Sequence, residues 1–164
     1  MKTWDFTGRR LAEIQGRLFE ESLTEFSGSS AVFIRRYLTS EAARLFDDGS
    51  ILISATGLNY ADLDLPKDNG APRGNGHVRY SANELHWLGY LYRYWAYTRE
   101  LSSRQILHLC PSKVLVRYYL PYHTQDVEAA LAVVEENLPQ KAPVDLNEAL
   151  LESYRRFHRA EKRG

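Results

Sequence analysis

Five histidines, one cysteine and two pairs of aspartates are the side chains of this 164-residue chain that could carry acid–base, nucleophilic or metal chemistry. Imidazole ligates a metal or relays a proton when a second group is held beside it. His77, His86, His108, His123 and His158 stand far apart, with no HExxH or other ligand spacing among them. Cys110 has no neighbour in sequence that would turn it into a thiolate nucleophile. Being alone, it also makes no disulfide framework and no cysteine metal cluster. The pairs Asp47 with Asp48 and Asp62 with Asp64 could suggest acid–base work, but Asp-Asp-Gly is ordinary chemistry for a helix end. "DNGAPRGNGH" could let backbone N–H groups approach an anion, yet it has no GK[ST] ending and follows no convincing strand. These residues predict a chain without a catalytic centre, bound metal or cofactor.

Residues suited to binding are more prominent. "LPYHTQD" places Tyr122 and His123 in a tight corner between Pro121 and Thr124, as candidate contact residues or as a lead-in to the next helix. In "FIRRYL", Arg35 and Arg36 lie between Phe33, Ile34, Tyr37 and Leu38, so at least one guanidinium sits near the apolar face. Its planar fork suits a carboxylate, within the fold or on a partner.

The stretch "HWLGYLYRYWAYTRE", residues 86 to 100, carries two tryptophans and four tyrosines. At roughly 100° per residue, Leu85, Leu88, Tyr92, Trp95 and Ala96 share one helical face. Trp87, Tyr90, Tyr94 and Tyr97 form a second stripe, and the remaining wedge holds His86, Gly89, Arg93 and Glu100. So full an apolar circumference predicts a central helix. The second stripe, at roughly 150–250 Å² per aromatic, exceeds what a monomer usually exposes, so something must cover it. The chain's own helices, a partner protein or stacked bases could do so. Bases would need interleaved cations, and only Arg93 and Arg99 are present. As a docking face the stripe would offer Tyr90, Tyr94 and Tyr97, with Tyr90 and Tyr97 the more exposed, in combination with Arg35 or Arg36.

A second binding reading comes from residues 101 to 120, "LSSRQILHLCPSKVLVRYYL". A short capped helix, a turn and a second helix would form a helix-turn-helix, with Arg104, Lys113 and Arg117 meeting DNA phosphates. The usual glycine is absent from the turn, where Pro111 stands. The C-terminal "YRRFHRAEKR" adds five basic residues, which also suit a helix C-terminus through the macrodipole.

The elements that must position these groups read as helices. "TGRRLAEIQGRLFEESLTEF" carries an apolar stripe of Leu11, Ile14, Leu18 and Phe19, and "SGSS" stops it. Ser29 or Ser30 caps "AVFIRRYL", and Ser40 caps a short helix that ends at Gly49. Residues 50 to 65 read as helix, strand or irregular chain. Residues 66 to 79, rich in proline and glycine, form an exposed loop and the best internal break. Ser81 with Glu84, Ser102 with Gln105, and Asp145 with Glu148 have capping-box spacing. Pro111 interrupts the chain, "SKVLVRYYL" resumes a helix until Pro121, and Thr124 or Asp126 starts a helix that Pro139 stops. The expectation is one compact all-α domain over 1–164 around a central aromatic helix.

Bulk composition agrees with a binding protein of no special charge. Lys plus Arg and Asp plus Glu each number 21, and a dedicated nucleic-acid binder usually shows a basic excess. No apolar run approaches a membrane span, and "MKTWDFTGRRLAEIQ" lacks a signal peptide's apolar block, so a cytoplasmic location is expected.

The runs "WDFTGRRLAEIQGRLFEESLTEFSGSSAVFIRRYL", "YSANELHWLGYLYRYW" and "LPYHTQD" resemble a group of bacterial proteins found in small cassettes that look like toxin–antitoxin loci. Some of those lie beside an ADP-ribosyltransferase-like toxin. The resemblance implies an antitoxin-like, partner-binding role and carries no site residues with it. The resulting expectation is a non-enzymatic module that docks a protein, such as a toxin encoded nearby. A DNA-binding regulator using residues 101 to 120 is the alternative.

Overall fold

The computed structural model describes residues 1–53, 60–65 and 78–139, and all regular structure among them is helical. The Asp145 capping box, the C-terminal basic run, His77, His158 and most of the 66–79 loop lie outside the described residues. No described helix is long and apolar enough to cross a membrane.

Two long helices form the centre: α1, Phe6–Glu25, and α4, Ala82–Arg99. They run antiparallel, since Asp5 bonds Tyr97 at one end and Glu20 meets His86 at the other. Glycine permits their close approach. A Cβ on Gly89 would stand 2.8 Å from the Gln15 carbonyl oxygen and 2.9 Å from Gly16 Cα. α2 (Ser30–Leu38), α3 (Glu41–Asp47) and α5 (Ser103–Leu109) pack around this pair, and α8 (Val127–Asn137) lies against α4. Between α5 and α8 run α6 (Ser112–Leu115), a 3-10 turn at Val116–Tyr118 and α7 (Tyr119–Tyr122).

Local chemistry explains most helix starts. Ser81 Oγ accepts from Glu84 N at 3.2 Å while Glu84 Oε2 accepts from Ser81 N at 2.7 Å, closing a reciprocal box. Ser102 and Gln105 repeat it. Asp5, Ser29, Ser40 and Asp126 cap α1, α2, α3 and α8 in the same way, each side chain accepting from a first-turn N–H. Gly49, at φ 76, takes the left-handed conformation just past α3. Residues 50 to 53 and 60 to 62 are 3-10 turns.

Pro121 does not end the preceding helix. It sits at the third residue of α7, inside a first turn whose N–H groups have no helical acceptor to lose. The stretch from Ser112 is therefore two single turns of α-helix joined by a 3-10 turn, and the chain leaves helix only at the 123–126 corner.

One apolar cluster joins these helices, with Trp95, Tyr92, Phe19, Phe33, Tyr37 and Phe46 at its heart. A polar network is set into it. Arg93, 1% exposed, donates from Nε and Nη2 to Gln15 Oε1 at 3.0 and 2.8 Å, and from Nη1 to Asp47 Oδ1 at 2.6 Å. Tyr37 also donates to Gln15 Oε1, and the Ser103 hydroxyl and backbone N–H both donate to Asp47. The wedge of His86, Gly89 and Arg93 is thus the contact face for α1, not a solvated edge. Each of the three guanidinium nitrogens of Arg93 has an internal acceptor, Nη2 donating also to Ser103 Oγ, so the group could be buried.

Candidate functional site

The second aromatic stripe of α4 divides in two. Its C-terminal half is roofed by the chain's own first residues. Trp4 packs edge-on against Tyr90, Tyr94 and Tyr97, with ring centroids 6.1, 4.7 and 5.8 Å away. Lys2 Nζ stands 4.0 Å over the Tyr97 ring, and Lys2 N donates to the Thr98 carbonyl. Tyr94 and Tyr97 are consequently buried, at 4% and 9% exposure. Tyr97 therefore departs from the sequence-based expectation that it is one of the exposed pair, because a segment some ninety positions away covers it. Its hydroxyl donates to Asp5 Oδ1 at 2.7 Å, and burial together with that carboxylate pushes the phenol up to about 12.

The N-terminal half stays open. Trp87 and Tyr90, both half-buried, line a groove of about 600 Å³ between α1, α4 and the α7–α8 corner. Tyr119 supplies the opposite wall, its ring edge-on to Trp87 at 5.7 Å and 76°. Val127 adds apolar surface over the buried Leu91, and Asn83, Gln125 and Glu20 add hydrogen-bonding groups. Leu120, which follows Tyr119 in sequence, is 79% exposed and does not line the groove.

Two imidazoles edge this groove, each with one nitrogen committed. His123 stacks on Tyr119 at 4.5 Å, and its Nδ1 lies 3.0 and 3.1 Å from the carbonyl oxygens of Tyr119 and Leu120. Carbonyls only accept, so Nδ1 is the donor in these contacts and Nε2 is left for other groups. His86 Nδ1 lies 2.8 Å from Glu20 Oε1, and the ring stacks over Tyr90 at 6.5 Å. Tyr90's phenol is held above its ordinary value by burial first, with Glu13 adding to the effect.

Aromatic walls, two oriented imidazoles and short polar side chains make a surface for an apolar or aromatic anchor, with hydrogen bonds at its rim. Among the described residues no serine, threonine or cysteine lines the groove, whose hydroxyls are the phenols of Tyr90 and Tyr119. Cys110, at the C-terminal end of α5, is 0% exposed, and burial pushes its thiol up to about 11. Among the described residues no three His, Cys, Asp or Glu side chains are grouped to hold a metal ion.

Of the residues singled out from sequence, Tyr90 and His123 meet in this groove. Tyr122 does not line it; its ring packs on Tyr118 at 6.1 Å. Arg36 lies over the Phe26 ring at 5.8 Å, and Arg35 lines a separate notch, so the stripe and these arginines do not form one continuous face. Tyr119, His86, Glu20, Asn83 and Gln125 were not singled out from sequence as one site: they come from α1, α4, α7 and the 123–126 corner, and only Asn83 and His86 share a helical spacing.

The 101–120 segment differs from the expected helix-turn-helix. Its second member is only Ser112–Leu115, about 6 Å long at 1.5 Å per residue, before it tightens into the 3-10 turn. Lys113 and Arg117 therefore do not project from one continuous recognition helix, and Arg104 donates to the Thr39 carbonyl at 3.0 Å. Comparison with known proteins adds no relative: no family model, curated protein or solved structure matches the chain.

Proposed function

We propose that this chain is a non-enzymatic protein-binding module whose principal docking site is the groove between Trp87, Tyr90 and Tyr119. The observation that carries the reading is the division of the aromatic stripe. The N-terminal arm buries Tyr94 and Tyr97 and touches Tyr90 from one side only. Trp87 and Tyr90 are left facing an open cleft, and Leu120, which follows Tyr119 in sequence, is exposed near one end of α7. Half-buried Trp and Tyr around a preformed cleft are the residue types that dominate binding energy at protein interfaces. The occupant fitting this chemistry is a partner segment with an apolar anchor and a hydrogen-bonding group for the His123 ring.

A toxin encoded nearby is the partner that the sequence resemblance suggests, and the antitoxin-like role is proposed on that basis. The test is co-purification of the native partner, followed by titration against Tyr90→Ala and Leu120→Asp. Both substitutions alter exposed or half-exposed side chains, so the fold survives. Loss of binding in both supports the reading, and full retention in both overturns it.

A further inference from the structure

Charge in this chain is balanced overall but not evenly placed. Residues 26–40 and 101–125 contain no aspartate or glutamate, and between them hold Arg35, Arg36, Arg104, Lys113 and Arg117. The fold brings these two segments together, with α2 packed on both α5 and α6. Where they meet, a notch of about 270 Å³ opens, remote from the aromatic groove and sharing no residue with it. Its apolar surface comes from Ala31, Val32, Leu107 and Pro111, and Arg35 and Lys113 line it as well. Both cations are exposed, and among the described residues neither has a carboxylate within ion-pair distance. Leu109 and Val114, flanking the notch in sequence, are 39% and 37% exposed.

We infer that this notch is a second docking site, for an acidic protein segment that inserts an apolar side chain between Arg35 and Lys113. Charge complementarity selects the partner's sign, since two cations with no carboxylate partner among the described residues border the opening and two acid-free segments surround it. The apolar lining selects a peptide over a polyphosphate. Nucleic-acid backbone would engage the cations and leave Val32, Leu107 and Pro111 without a function, whereas a Leu or Phe side chain fills that space. Arg35 also matches a carboxylate by its two-pronged geometry. Nothing in this inference depends on the occupant of the aromatic groove.

The test uses the full chain and three fluorescein-labelled probes followed by anisotropy. One is an amphipathic peptide of about 15 residues with leucines at helical spacing and glutamates elsewhere. The others are the same peptide with lysine for glutamate, and random duplex DNA of about 20 base pairs. The acidic peptide should bind, and the doubly substituted Arg35→Glu, Lys113→Glu chain should bind it on the order of tenfold or more weakly. The single variant Val32→Asp should also weaken it, while Tyr90→Ala should not. The lysine peptide should not bind. Failure of the acidic peptide to bind, equal binding by the double variant, or tighter binding of the DNA would each overturn the inference. Loss of acidic-peptide binding in Tyr90→Ala would instead move the site to the aromatic groove and also refute it.

Discussion

The Trp4 indole stands edge-on to the Tyr94 ring, with centroids 4.7 Å apart and planes at 76°. This one contact decides which part of the α4 stripe is core and which part is surface. Trp4 is half-buried and serves three tyrosines at once, so Trp4→Ala should destabilise the fold by about 2 kcal/mol, less than the roughly 3–5 of a fully buried Trp. Urea denaturation followed by circular dichroism measures it. A change within a few tenths of a kcal/mol would mean that the arm is only loosely applied.

Gly89→Ala tests the helix crossing. In an exposed helix this substitution would stabilise by about 1 kcal/mol through propensity. Here the added methyl meets Gln15 O at 2.8 Å, Gly16 Cα at 2.9 Å and Phe19 Cγ at 2.9 Å, two of them backbone atoms that cannot turn aside. The expected sign is therefore reversed, a net loss of about 1–3 kcal/mol. A stabilised variant would show that α1 and α4 lie further apart.

Arg93→Met leaves Asp47 with the two Ser103 donors and removes the cation from Gln15. The Asp47 side chain is 19% exposed and Arg93's 2%, so the pair is largely desolvated. Breaking it should cost about 3–5 kcal/mol, while the double replacement Arg93→Met, Asp47→Leu should recover part of that loss. Thermal melts of the two variants distinguish this from simple additivity.

Cys110 should be inert to thiol reagents in the folded chain near neutral pH, because burial favours the neutral thiol. Its folded pKa of about 11 lies above its ordinary value, so the stability it contributes is complete below that ordinary value. That contribution is lost as pH rises through about 11. Labelling with a thiol probe as denaturant is raised should follow unfolding; fast labelling of native protein would contradict the burial.

Much of the fold was legible in sequence because its signals are local. The reciprocal boxes at Ser81 and Ser102 need only three-residue spacing, and each starts its helix where that spacing places it. Arg93 was not legible as interior. A helical wheel sorts polar residues outward, and only tertiary structure supplies Gln15, Asp47 and Ser103 as its partners. Tyr97 failed for a similar reason, since Trp4 and Lys2 reach it from the chain's start. In the groove, Trp87, Tyr90 and His123 carried sequence signals through the stripe and the Pro121–Thr124 corner. Tyr119 did not: nothing in "VRYYLPY" tells which tyrosine faces α4, and the 3-10 turn at Val116–Tyr118 breaks the helical phase that would have decided it.

Partner docking is proposed to use the Trp87–Tyr90–Tyr119 groove. The most direct measurement is the affinity of the partner that co-purifies with the native chain, for wild type and for folded Tyr90→Ala, Leu120→Asp and Arg35→Glu variants. The account predicts a loss of roughly 30-fold or more for the Tyr90 and Leu120 variants, the equivalent of about 2 kcal/mol for a docking anchor. Arg35→Glu, in the separate notch, should leave that affinity within about twofold. Unchanged binding by both groove variants, or a loss confined to Arg35→Glu, would contradict the claim.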